Sequence, residues 1–142
     1  MASIYRTARL NVPASAAWDV VDKYTRTDIH VFSVVAKQHM EGDWRICESP
    51  DGHVARELNI TVDPEHMRAS YTVPDLFEST FHHASMQVFD NGDGSSTLTW
   101  ITDVLPDTFV EEHADLYDGL WSDLVQAVET GKDVDWPSPA TA

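Results

Sequence analysis

"DTFVEEHADLYDGLWSDLVQAVETG", Asp107 to Gly131, repeats apolar residues at helical intervals: Phe109, Val110, His113, Leu116, Tyr117, Leu120, Leu124 and Val128 recur at spacings of three and four. Gly131 follows, the residue that most readily takes the left-handed turn at a helix end. The pattern predicts one long amphipathic helix over 107–130, whose apolar face needs a partner surface. That partner has to come from what precedes it.

Between Val31 and Val104 the chain is punctuated by "EGD" (41–43), "SPDG" (49–52), "DPEH" (63–66), "VPD" (73–75) and "NGDG" (91–94). Each is a turn signal, and the segments between them are rich in β-forming residues, so five or six antiparallel strands are expected. Ser3 to Val12 reads as a further strand, and "NVPASAAWDVVDKY" (11–24) opens a helix behind Pro13 with Ala17, Trp18, Val21 and Tyr24 on one stripe. Sheet plus long C-terminal helix makes an α+β domain in which a twisted sheet covers the helix. One domain over 1–131 and an irregular tail over 132–142, "KDVDWPSPATA", are expected.

Composition narrows the partners. The 142 residues carry nine Lys and Arg against 24 Asp and Glu, a formal charge of −15. That field repels nucleic acid and anionic membrane surfaces. A single cysteine, Cys47, excludes an internal disulfide and a multi-cysteine zinc site, and suits a reducing cytoplasm. No long apolar stretch opens the chain, so neither a signal peptide nor membrane insertion is expected, and the location expected is cytoplasmic. Oligomeric state is not written in these features.

Four stretches, "NVPASAAWDVV", "VARELNITVDPEHMRASYTV", "MQVFDNGDGSSTLTW" and "GLWSDLVQAVE", in this order of elements, resemble the START-like or Bet v 1-like (SRPBCC) superfamily, and within it the polyketide cyclase/dehydrase-like branch. The resemblance spans about residues 3–130. It implies a helix-grip fold: a curved antiparallel sheet wrapped around the C-terminal helix, with a small helix pair after the first strand. It also implies an apolar cavity between sheet and helix that takes a hydrophobic or aromatic small molecule.

Candidate site residues follow from strand alternation, with the resemblance added. In "TFHHASMQVF" (80–89) successive side chains face opposite ways, so His82 and His83 cannot chelate one metal. The small apolar set Ala84, Met86 and Val88 turns His82 inward and His83 outward. Trp100 is the aromatic expected at the cavity floor, with Tyr71, Val73 and Met86 on the walls and Leu116 and Leu120 closing the helix side. In the middle hairpin, Val54, Leu58, Ile60 and Val62 alternate with one another and would carry Arg56 inward, whereas the resemblance puts Glu57 at the ligand. A β-bulge would reconcile the two.

Two functions remain open on these residues. One is an enzyme of polyketide-type cyclisation and dehydration, with His82 as base and Arg56 steadying the developing oxyanion. The other is a non-catalytic carrier or sensor using the same cavity. No nucleotide-binding or hydrolase motif occurs, no histidine pair has ligand spacing within a predicted helix, and neither metal nor other cofactor is expected.

Overall fold

A computed structural model describes residues 2–131, so the tail expected from residue 132 onward lies outside the described residues. The strands are β1 (Ala2–Leu10), β2 (Lys37–Glu41), β3 (Trp44–Glu48), β4 (Val54–Asp63), β5 (Arg68–Thr72), β6 (Phe81–Asp90) and β7 (Ser96–Leu105). The helices are α1 (Ala14–Arg26), α2 (Thr108–Glu112) and α3 (Ala114–Thr130). The strands form one antiparallel sheet in the order β1-β7-β6-β5-β4-β3-β2, so β1 crosses to pair with the last strand and the other pairs are hairpin neighbours. The core fills the space between the sheet's inner face and the helices, around Tyr24, Phe32, Tyr71, Trp100, Phe109, Tyr117 and Leu124.

Helix α1 begins at Pro13, whose extended backbone presents its carbonyl to the amides of Ala16 and Ala17 at 3.0 and 3.1 Å. Its stripe of Ala14, Ala17, Val20, Val21 and Tyr24 is buried. The helix pair expected here is a single helix. Residues 27–36 are irregular because Thr27, Ile29, Val31, Val34 and Val35 are β-branched and weak helix formers. Tertiary bonds hold the segment instead: Asp123 on α3 accepts from the Ser33 amide and hydroxyl at 2.8 and 2.7 Å, and Gln38 donates to the Ile29 carbonyl at 2.8 Å.

The C-terminal helix is also corrected in detail. It breaks at His113, whose backbone (φ −118°, ψ 16°) ends α2 and starts α3. The imidazole stacks on Phe77, centroids 4.5 Å apart, and meets the Phe109 ring at a tilt of 46° with centroids 4.4 Å apart, and its Nε2 lies 3.2 Å from Glu78. Beyond the break, Tyr117, Leu124, Ala127 and Val128 are buried, Leu120 and Trp121 pack against the core, and Leu116 is only half-buried and outside it. At the far end Gly131 takes the left-handed conformation (φ 59°), and its amide caps the Ala127 carbonyl at 3.3 Å.

A bulge interrupts the pairing of β4 with β5. Asn59 faces Tyr71 and Thr61 faces Ser70, leaving Ile60 as the extra residue. N-terminal to it, Ala55, Glu57 and Asn59 face the helices while Val54 and Arg56 are exposed; C-terminal to it, Val62 pairs with buried Ala69. The run of alternate apolar residues therefore belongs to two faces, with Ile60 itself 53% exposed.

Candidate functional site

Glu57 is the centre of a polar cluster set into the apolar interior. Strands β3 and β4 bring Arg45 directly opposite Glu57, and Arg45 Nη2 donates to Glu57 Oε1 at 3.1 Å. The guanidinium is fully buried, while the Glu57 side chain keeps 13% of its exposure. Arg45 Nη1 bonds the Tyr24 and Thr25 carbonyls at the end of α1, at 3.2 and 3.3 Å. Its Cζ lies 4.2 Å from the centroid of the Tyr24 ring. Tyr24 donates its hydroxyl to Glu57 Oε1 at 3.3 Å, and the Cys47 thiol approaches Oε2 at 3.7 Å.

Charge balance explains why such a pair survives burial. Desolvation pulls the Arg45 pKa down, but the Glu57 carboxylate, by its charge and its hydrogen bond, favours the guanidinium, whose pKa stays above the ordinary arginine value, so the cation persists. Burial pushes the Tyr24 and Tyr71 hydroxyls well above the usual phenol range, and it raises the Cys47 thiol, with Glu57 adding to the effect. Neither phenol nor thiol ionises here near neutral pH.

Beside this cluster, Trp100 donates its indole N–H to the Tyr71 hydroxyl at 3.1 Å. Trp100 also stacks on Phe32 and Trp121, with centroids at 6.0 and 6.5 Å, and meets the tilted ring of Tyr117 at 5.6 Å. Tyr71 lies 6.0 Å from the His82 ring. His82 and Met86 are buried on the inner face and Val73 follows β5 into the same core, while His83 is half-exposed. Leu120 packs against this core from α3, whereas Leu116 lies outside it and Tyr117 is the residue of that turn that is buried.

Two residue roles expected from the sequence change. Arg56 points outward and lies over the Trp44 ring, Cζ to centroid 4.7 Å, so the inward arginine is Arg45 instead. His82 Nδ1 accepts the Val73 amide at 3.0 Å, so its other nitrogen carries the hydrogen in the neutral ring. Burial, with a smaller contribution from His83, lowers its pKa to about 4 against partial support from Glu57. At neutral pH this ring is a donor through Nε2, with no free lone pair for a base. The Tyr24 and Cys47 roles were also missed. "WRICE" (44–48) alternates two large apolar residues with Arg45 and Cys47, which by hydropathy alone turns the arginine to solvent. The signal that finds it is the opposite charge of Glu57 across the hairpin.

Away from the interior, two surface groups bring possible metal-ligand atoms within 4.8 Å of one another: Asp63, Glu65 and His66, and Glu78, Glu112 and His113. Both lie on exposed turns or helix ends.

Comparison with solved structures matches this architecture. XoxI from Bacillus cereus is 17% identical, with 95% of this chain and 97% of that one covered at a TM-score of 0.74. A Thermobifida fusca protein is 22% identical over 93% and 96% of the two chains at 0.73. Norcoclaurine synthase from Thalictrum flavum is 20% identical over 91% and 84% at 0.70. The chain has a helix-grip fold. No protein-family model and no curated protein matches it by sequence. At these identities the helix-grip likeness concerns fold, and the polar cluster stands on its own geometry.

Proposed function

We propose that the chain binds a hydrophobic small molecule between the inner face of the sheet and α3, with its polar end at the Glu57 cluster. The observation that carries this reading is the Arg45–Glu57 pair inside an aromatic core. A buried ion pair is weak as a stabilising device, since packed apolar residues of similar volume commonly do as well or better. Tyr71 links the pair to His82, its ring 5.8 Å from Arg45 Cζ and 6.0 Å from the His82 ring, and this grouping of polar side chains supports a role in orienting a ligand. Tyr71, Val73, Met86, Trp100 and Leu120 supply the apolar walls. A norcoclaurine synthase structure that contains dopamine and hydroxybenzaldehyde, 18% identical with a TM-score of 0.62, supports an aromatic ligand of modest size.

Carriage or sensing fits the site better than polyketide-type cyclisation, because the one histidine of the interior cluster holds no free lone pair. Binding of Nile red, followed by its fluorescence, tests the reading. Saturable binding is expected, with affinity at least about tenfold weaker in Leu120→Trp, which enlarges a side chain that packs against this core from α3. An unbound dye, or a Leu120→Trp protein that binds it equally well, overturns the assignment.

A further inference from the structure

We propose that the stretch following α3, "KDVDW" (132–136), docks as an extended segment in the groove between β1 and α3, with the Trp136 indole as its anchor. The groove measures about 470 Å³ and is lined by Ala8 of β1 and by Trp121, Ser122, Val125, Gln126 and Glu129 of α3 among others. The helix residues recur at spacings of four, so they form one continuous stripe. It is distinct from the stripe of Tyr117, Leu124, Ala127 and Val128 that α3 buries in the core. Ala8 lies across the groove, and its small side chain leaves the space open. β1 is an edge of the sheet and pairs only with β7 among the described strands. An apolar wall beside a free strand edge is a surface that folded chains commonly cover.

The occupant follows from where the chain goes next. Thr130, the last residue of α3, lines the groove, and Gly131 ends the helix there in the left-handed conformation (φ 59°), so the following residues leave from the groove's own end. Ten residues of helix at about 1.5 Å each put Trp121 about 15 Å from Gly131, while five extended residues span up to about 17 Å. Trp136 therefore reaches any point of the groove. In "DVDW" (133–136), Val134 and Trp136 alternate with Asp133 and Asp135, so an extended segment turns both apolar side chains to one side and both carboxylates to the other. The indole N–H is a donor only, and the side-chain oxygens of Ser122, Gln126 and Glu129 supply acceptors. Pro137 follows and lacks the amide that a longer strand would use.

Charge disfavours a second copy of the chain as occupant. Each copy carries a formal −15 and repels the other, whereas a tethered segment acts at an effective concentration on the order of millimolar. None of the groove's lining residues is among the ligand walls assigned above, so the inference does not rest on that function.

NMR of the full chain tests it. NOEs are expected between the Trp136 indole and the methyl groups of Ala8 and Val125. Trp136→Ala should shift those methyl resonances and leave the methyls of Ala69 and Val88, in the sheet interior, in place. Ala8→Phe, which fills the groove from β1, should move the Trp136 Nε1–H resonance to the position of a fully solvated indole. Absence of the NOEs, with the Ala8 and Val125 methyls unmoved in Trp136→Ala, overturns the proposal. NOEs that appear only between labelled and unlabelled molecules in a mixed sample would place a second copy in the groove and also overturn it. Contacts of Trp136 with Met86 and Trp100 would put the indole in the interior, which likewise overturns it.

Discussion

Arg45 and His82 show how burial sets the chemistry of single residues. Arg45→Met leaves the Glu57 carboxylate without its cation, so a loss of about 3–5 kcal/mol in denaturant unfolding is expected. Arg45→Met combined with Glu57→Leu should recover much of that loss, because the stranded charge is removed as well. A double variant no more stable than the single one contradicts the account. His82 makes a pH prediction. Its folded pKa is about 4 against an ordinary 6.5, so the folded state prefers the neutral ring. Its stabilising contribution is complete above pH 6.5 and is lost as pH falls toward about 4, where the unfolded chain takes up the proton first. Stability should fall over that window by up to about 1.4 kcal/mol per pH unit. Subtracting the same curve for His82→Gln isolates the histidine from the many carboxylates; parallel curves would disprove the buried neutral ring.

Two elements, β4 and α3, carry their register through features only one residue wide. Deleting Ile60 removes the one unpaired residue and leaves Asn59 opposite Tyr71 and Thr61 opposite Ser70, so Glu57, Asn59 and Val62 keep their faces. The fold is therefore expected to survive the deletion, with amide NMR shifts confined to β4 and β5 around the deleted residue; a variant that does not fold would show that the bulge does more than hold one extra residue. On α3 the break at His113 decides which side chains reach the core. Leu124→Ala should cost about 2–5 kcal/mol, since Leu124 is fully buried, whereas Leu116→Ala should cost less than about 1 kcal/mol. Equal costs in urea titrations would mean that the helix face is wrongly placed. The apolar spacing of 107–130 announced the helix without locating its break. That break depends on Phe77 and Glu78, which reach His113 from a distant loop.

Across the whole molecule the charge of −15 opposes compaction. Raising salt through the range in which the screening length falls from about 30 to 10 Å should therefore raise the melting temperature at constant pH. A decrease would indicate that attractive ion pairs such as Arg6–Asp118 outweigh the repulsion. The order of elements, the antiparallel hairpins, and the inward turn of His82, Met86 and Trp100 were determined by sequence, because strand alternation and turn chemistry act over a few neighbouring residues. The same local rules assigned the wrong arginine. Arg56 sits among alternating apolar residues and Arg45 between Trp44 and Ile46, so hydropathy favours the first. Tertiary structure decided for Arg45, because the bulge at Ile60 resets the faces of β4, and the carbonyls of Tyr24 and Thr25 with the Glu57 carboxylate supply bonds that offset desolvation of a guanidinium. Those partners lie 12 to 21 residues away along the chain. No period in a local window can report them, since Glu57 meets Arg45 only across the paired strands and the two carbonyls only when α1 packs on the sheet.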